Sequence, residues 1–150
     1  MNPSRWQLFT SCNPATYDRL IEQMIAERSM FSLTSLEGRF NEIWPMWSAI
    51  KRHVVEEKRT TQTPIGYKSL SLVRTFRACE GLRSFLNAPG GLFEWCHPTW
   101  PEDLCIYDSN IEPWLITVSH EHYFLCDLNL VPLGLGVDFE VGDGNGVGCC

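Results

Sequence analysis

The sequence predicts a single α+β domain in which N-terminal helices pack on a C-terminal antiparallel three-stranded meander, giving two layers. Three observations predict it. The 150 residues are 44% hydrophobic and 20% charged, the balance of one globular core. Apolar residues up to Leu86 recur at three- and four-residue intervals. After Gly91 the period falls to two, the spacing of strands with one face buried.

The first helix is read over 13–28, with Asn13 as cap, Pro14 in the first turn, and Tyr17, Leu20, Ile21, Met24 and Ile25 as its apolar stripe. A second is read over 34–57. Thr34 and Glu37 form a capping box, Leu36, Phe40, Ile43, Trp44 and Trp47 form the stripe, and Pro45 bends it. The Thr-Pro-Ile-Gly turn before Tyr67 separates it from a third helix over 69–86, capped by Ser69. The buried side of that helix carries Leu72, Phe76, Cys79, Leu82 and Leu86, and Asn87-Ala88-Pro89-Gly90-Gly91 stops it.

Three strands are expected at 103–107, 114–119 and 122–128, joined by Asp108-Ser109-Asn110-Ile111-Glu112-Pro113 and by a tight turn at His120-Glu121. Trp114, Ile116 and Val118 share the face placed against the helices, as do Phe124, Cys126 and Leu128. Leu115, Tyr123 and Leu125 give the other face an apolar character too, so it needs a cover from 95–100 or from a second chain. An edge strand at 136–140 closes the domain at residue 141. The glycine-rich 142–150, ending in Cys149-Cys150, reads as a flexible tail.

Net charge is −6, unevenly spread. All twelve Lys and Arg lie between Arg5 and Arg83 with eight acidic residues among them, about +4; residues 91–150 hold ten Asp and Glu and no Lys or Arg, −10. A one-signed acidic part repels nucleic acid and steers cationic partners. No apolar run approaches the roughly 20 residues of a membrane span, and no targeting signal precedes the first helix, so a cytoplasmic protein is expected. Seven irregularly spaced cysteines fit reduced thiols better than a disulfide framework.

Cys96, His97, His120 and His122 have the donor types of a zinc site, yet no Cys-x-x-Cys pair is present, and adjacent Cys96 and His97 diverge in extended backbone. Cys96 or Cys105 with His97 or His120 and Asp103 or Asp127 would supply a thiol nucleophile, base and orienting carboxylate. Glu102, Asp103 and Asp108 would supply paired carboxylates. Phosphate-loop, nucleophile-elbow and dinucleotide motifs are absent; 142–146 resembles a calcium loop without its later ligands. A doubly prenylated Cys149-Cys150 end lacks the nucleotide loop that accompanies such termini.

The aromatic residues are more informative. Phe93, Trp95, Trp100, Tyr107, Trp114, Tyr123 and Phe124 lie within 32 residues of the acidic part. Rings rimmed by carboxylates suit recognition of a basic protein. The expected contact residues are Trp95, Trp100, Glu102, Asp103, Asp108, Glu112 and Glu121, with no cofactor and no metal.

The run Pro101-Glu102-Asp103-Leu104-Cys105-Ile106-Tyr107, then Glu112-Pro113-Trp114-Leu115-Ile116-Thr117-Val118-Ser119-His120-Glu121, with Gly136-Val137-Asp138-Phe139 beyond, resembles a group of small bacterial proteins. They share a strand, a turn, and a strand ending in Ser-His-Glu. The likeness spans about 40 residues and carries no catalytic signature; by fold-level analogy it implies an immunity-protein type. The functional expectation is a non-enzymatic binding or inhibitory module for a basic partner such as a toxin, with a homodimer through the sheet as a further partner. The alternative is a small Cys/His hydrolase or zinc-dependent enzyme.

Overall fold

The helix announced by Asn13-Pro14 is present as α1 (Pro14–Glu27), where Asn13 Oδ1 accepts the Thr16 N–H at 2.8 Å and Tyr17, Leu20, Ile21 and Met24 are buried. The computed structural model describes residues 5–66, 68–130 and 140–141. Around α1 the chain builds β1 (Trp6–Ser11), β2 (Met30–Ser35), α2 (Trp47–Ile50), β3 (Val54–Thr60), β4 (Ser71–Arg77), α3 (Arg83–Asn87), β5 (Glu102–Tyr107), β6 (Pro113–Val118), β7 (Tyr123–Asp127) and β8 (Glu140–Val141).

These strands form one sheet in the order β3-β4-β2-β5-β6-β7-β1-β8, with every neighbouring pair antiparallel. The expected architecture, helices first and a three-stranded meander after, is therefore wrong. The meander exists as β5, β6 and β7, but β2, β3 and β4 lie in the segments read as helices two and three, and β1 precedes the first helix.

The reasons are local. β2 is flanked by β4 and β5 and buried on both faces, so all six of its residues are buried and no alternation marks it. β3 is an edge strand whose Glu56, Glu57, Lys58 and Arg59 are exposed, a charged rim of the kind that discourages further pairing. In β4, Leu72 and Phe76 satisfy a helical and a strand spacing equally, and Arg74 between them points inward, where its guanidinium lies 4.7 Å from the Trp44 ring and 4.5 Å from the Trp47 ring. The helical stripe of Trp44 and Trp47 is thus a loop and a single helical turn closing over β4. Trp44 Nε1 donates to Ser35 Oγ at 3.2 Å.

One core unites Phe9, Phe31, Leu33, Phe76, Phe85, Trp95, Leu104, Leu115 and Phe124 with α1. The pairings Leu115↔Cys126 and Thr117↔Phe124 set Leu115 and Thr117 on the face of Phe124, the reverse of the expected β6 orientation. Ile116 and Val118, on the other face, are buried as well, so β6 needs no second chain to cover it. The expected tail, 142–150, and residues 136–139 of the expected edge strand lie outside the described residues; Glu140–Val141 does pair with β1. No helix among the described residues is long and apolar enough to cross a membrane.

Candidate functional site

The start of β5 meets the end of β6 and the end of β2 at one end of the sheet's central strands. Glu102 pairs with Thr34 there, and Asp103 Oδ1 accepts the Ser119 N–H at 2.9 Å. Adjacent residues of an extended strand point to opposite faces, but Asp103 has φ +49, a left-handed conformation that aspartate tolerates. Both carboxylates are thereby buried, and with His120, carried by the Ser119–Glu121 turn, they form a group whose donor atoms all lie within 4.8 Å of one another.

Glu102 is 6% exposed. Its Oε1 accepts the His97 N–H at 3.0 Å, whereas its Oε2 has no hydrogen-bond partner among the described residues. His120 Nδ1 stands 3.6 Å from that oxygen, beyond hydrogen-bond reach. Burial pushes the Glu102 carboxyl above the usual range, and the nearby His120 and Arg39 pull it partly back. Arg39 also buries a nitrogen, Nη1, that has no hydrogen-bond partner among the described residues. Arg39, Glu42, Trp44, His97, Trp100 and Glu102 line a cavity with about 30 Å³ of free volume. That suffices for a water molecule or one ion.

The residues expected to contact a partner are scattered. Trp95 is fully buried, donating from Nε1 to the Tyr17 hydroxyl at 3.1 Å and packing edge-on against Phe85 and Trp100. Trp100 is half-buried on Phe85. Glu102 and Asp103 face inward, so with Trp95 they are unsuited to the surface role foreseen for them. Asp108 and Glu112 sit at the β5–β6 hairpin tip, and Glu121 lies beyond the other end of β6, a six-residue strand about 20 Å long. Among the described residues none of these three is ion-paired with a Lys or Arg.

The tip is tightly built. Asp108 Oδ1 accepts the N–H groups of Asn110 and Glu112, each at 2.9 Å, and the Asp108 N–H bonds to Glu112 O. It holds Ile111 at φ +63 and 63% exposed. Nothing in the sequence marked Ile111, because an isoleucine there reads as a spacer between turn residues. Arg39 and Glu42 likewise looked like parts of a helix.

Of the cysteine and histidine candidates, the fold brings His120 to the carboxylates and sets the His97 imidazole 3.8 Å from Glu42, while the His122 ring lies against Phe93. The Cys96 thiol is pushed up by burial and by the carboxylates of Glu102, Glu94 and Asp103, and Cys105 is pushed up to about 12 by burial. Both shifts oppose thiolate formation and hence a nucleophilic role. A thiol–imidazole contact occurs elsewhere: Cys79 Sγ lies 3.7 Å from His53 Nδ1, and Arg52 Nε donates to His53 Nε2 at 3.3 Å. An arginine can only donate, so Nδ1 bears the proton of the neutral ring and points a hydrogen at sulfur instead of accepting one.

Comparison with protein-family models, curated proteins and solved structures gave no match.

Proposed function

We propose that this protein is a non-enzymatic binding module of inhibitory, immunity-protein type that takes a basic protein partner through the β5–β6 hairpin tip. The observation that carries the reading is Ile111. A β-branched residue with positive φ costs about 1–3 kcal/mol, and glycine or asparagine would avoid it. Ile111 is 63% exposed, so little contact within the chain offsets that cost.

The tip offers an apolar side chain at a fixed position next to Asp108 and Glu112, on a cleft that Arg28 and Arg77 also line. A complementary partner has an apolar socket edged by Lys or Arg. The isoleucine supplies the desolvated anchor, and the carboxylates steer approach and set orientation. Glu121 is too distant to join this contact, and Trp95, Glu102 and Asp103 act inside the molecule. The raised thiols of Cys96 and Cys105 favour this reading over a Cys/His hydrolase.

The test is affinity capture from the native host at low and high salt, with immobilised parent chain and three variants. One basic protein should be retained at low salt by the parent and by Glu121→Lys, and lost with Ile111→Gly and with Glu112→Lys. Capture that survives both hairpin substitutions would remove the proposal's basis.

A further inference from the structure

We propose that Glu102, Asp103 and His120 form a binding site for a single divalent transition ion of the zinc type, with one carboxylate oxygen from each acid and Nδ1 from the histidine. The site is independent of the hairpin reading, since it lies at the opposite end of β5.

Acidic residues near one another are common without any ion; the condition of Glu102 distinguishes this cluster. Its side chain is more than nine-tenths buried, one oxygen is held by the His97 N–H, and the other points into the cluster with no hydrogen bond among the described residues. A buried carboxylate oxygen left without a donor is costly, and coordination to a cation removes that cost. The neighbouring Asp103 carboxylate adds negative charge to the same pocket.

Distances fit the ion class. Zinc–oxygen and zinc–nitrogen bonds of about 2.1 Å in a tetrahedron put donor atoms about 3.4 Å apart. His120 Nδ1 and Glu102 Oε2 are 3.6 Å apart, and the widest separation in the group is within 4.8 Å. His120 has a 46% exposed side chain and can close that remainder by rotation, whereas the two carboxylates are fixed by the His97 and Ser119 N–H groups. The exposed side leaves a fourth position for water. An imidazole in the set favours zinc and its first-row neighbours over calcium and magnesium, which take oxygen donors.

The experiment is titration of the full chain, kept reduced, with Co²⁺ as an optical probe and then with Zn²⁺ by calorimetry. It uses the parent, Glu102→Gln and His120→Ala. The glutamine variant keeps the acceptor for the His97 N–H, and the histidine is half-exposed, so both should fold. We expect one equivalent of Co²⁺ with d–d absorption and no thiolate charge-transfer band, displacement by Zn²⁺ but not by an equal concentration of Ca²⁺ or Mg²⁺, and at least ten-fold weaker binding in each variant. No stoichiometric binding, a thiolate band, equal displacement by Ca²⁺, or undiminished affinity in either variant would overturn the assignment.

Discussion

The indole N–H of Trp95 donates to the Tyr17 hydroxyl at 3.1 Å, and that hydroxyl in turn donates to the Leu86 carbonyl. Three segments, α1, α3 and the chain that follows α3, are tied by one buried relay. It also explains why the most conspicuous aromatic residue of the acidic part is unsuited to partner contact: both its ring and its polar atom are already used.

Tyr17→Phe should therefore cost more than a single hydrogen bond. It leaves the Leu86 carbonyl and the Trp95 N–H without that partner in a buried core, for a loss of about 2 kcal/mol or more. Trp95→Ala should cost about 3–5 kcal/mol through the cavity it opens. Urea midpoints at constant m-value measure both. Losses under ~0.5 kcal/mol in Tyr17→Phe would mean that the relay is replaceable by water.

Ile111→Gly should act in the other direction. The hairpin tip keeps its backbone bonds through Asp108, and the strain at φ +63 disappears, so stability rises by about 1 kcal/mol. A stabilising change that abolishes partner capture is the signature expected of strain retained for binding. Thermal denaturation reads the first half, and a lowered Tm would refute it.

Cys105 and Cys126 are both buried, and burial pushes each thiol up to about 12. An unfolded thiol titrates near ~8.5, so above that pH the unfolded chain releases protons that the native chain keeps. Stability is then full below ~8.5 and falls as pH rises, each thiol approaching a slope of about 1.4 kcal/mol per pH unit. Urea midpoints from about pH 8 to about pH 10 should fall for the parent, and less steeply for Cys126→Ala. Equal slopes would contradict the assignment. In the native state both thiols should also resist alkylation, whereas the part-exposed Cys79 should react.

What was legible in the sequence follows the reach of each signal. Capping at Asn13 and alternation through β5, β6 and β7 are local, and those elements stand where they were expected. β1 gives no local sign, since its partners Phe124 to Asp127 lie more than a hundred residues on. β4 was masked by Arg74, a charge at an inward position. At the candidate metal site, Glu102, Asp103 and His120 each drew notice for separate roles, but their convergence depends on the positive φ of Asp103 and on the β5–β6 register. Neither leaves a trace in residue spacing.

Arg74 offers the last test. It lies 8% exposed between two indoles and donates from Nε to Glu57 Oε2 at 2.7 Å. Two interactions could hold it, and their magnitudes decide between them. Glu57 is half-exposed, so that ion pair is screened and worth less than about 1 kcal/mol. The guanidinium over the buried Trp44 ring and the partly buried Trp47 ring contributes about 1–2 kcal/mol. Arg74→Lys preserves charge but loses the planar stack and the fork, and should cost about 2 kcal/mol with a red-shifted tryptophan emission as Trp44 and Trp47 loosen. Glu57→Gln should cost under ~1 kcal/mol and leave the emission unchanged. If the glutamine variant proved the more damaging of the two, the ion pair and not the indole clamp would be what turns this arginine inward.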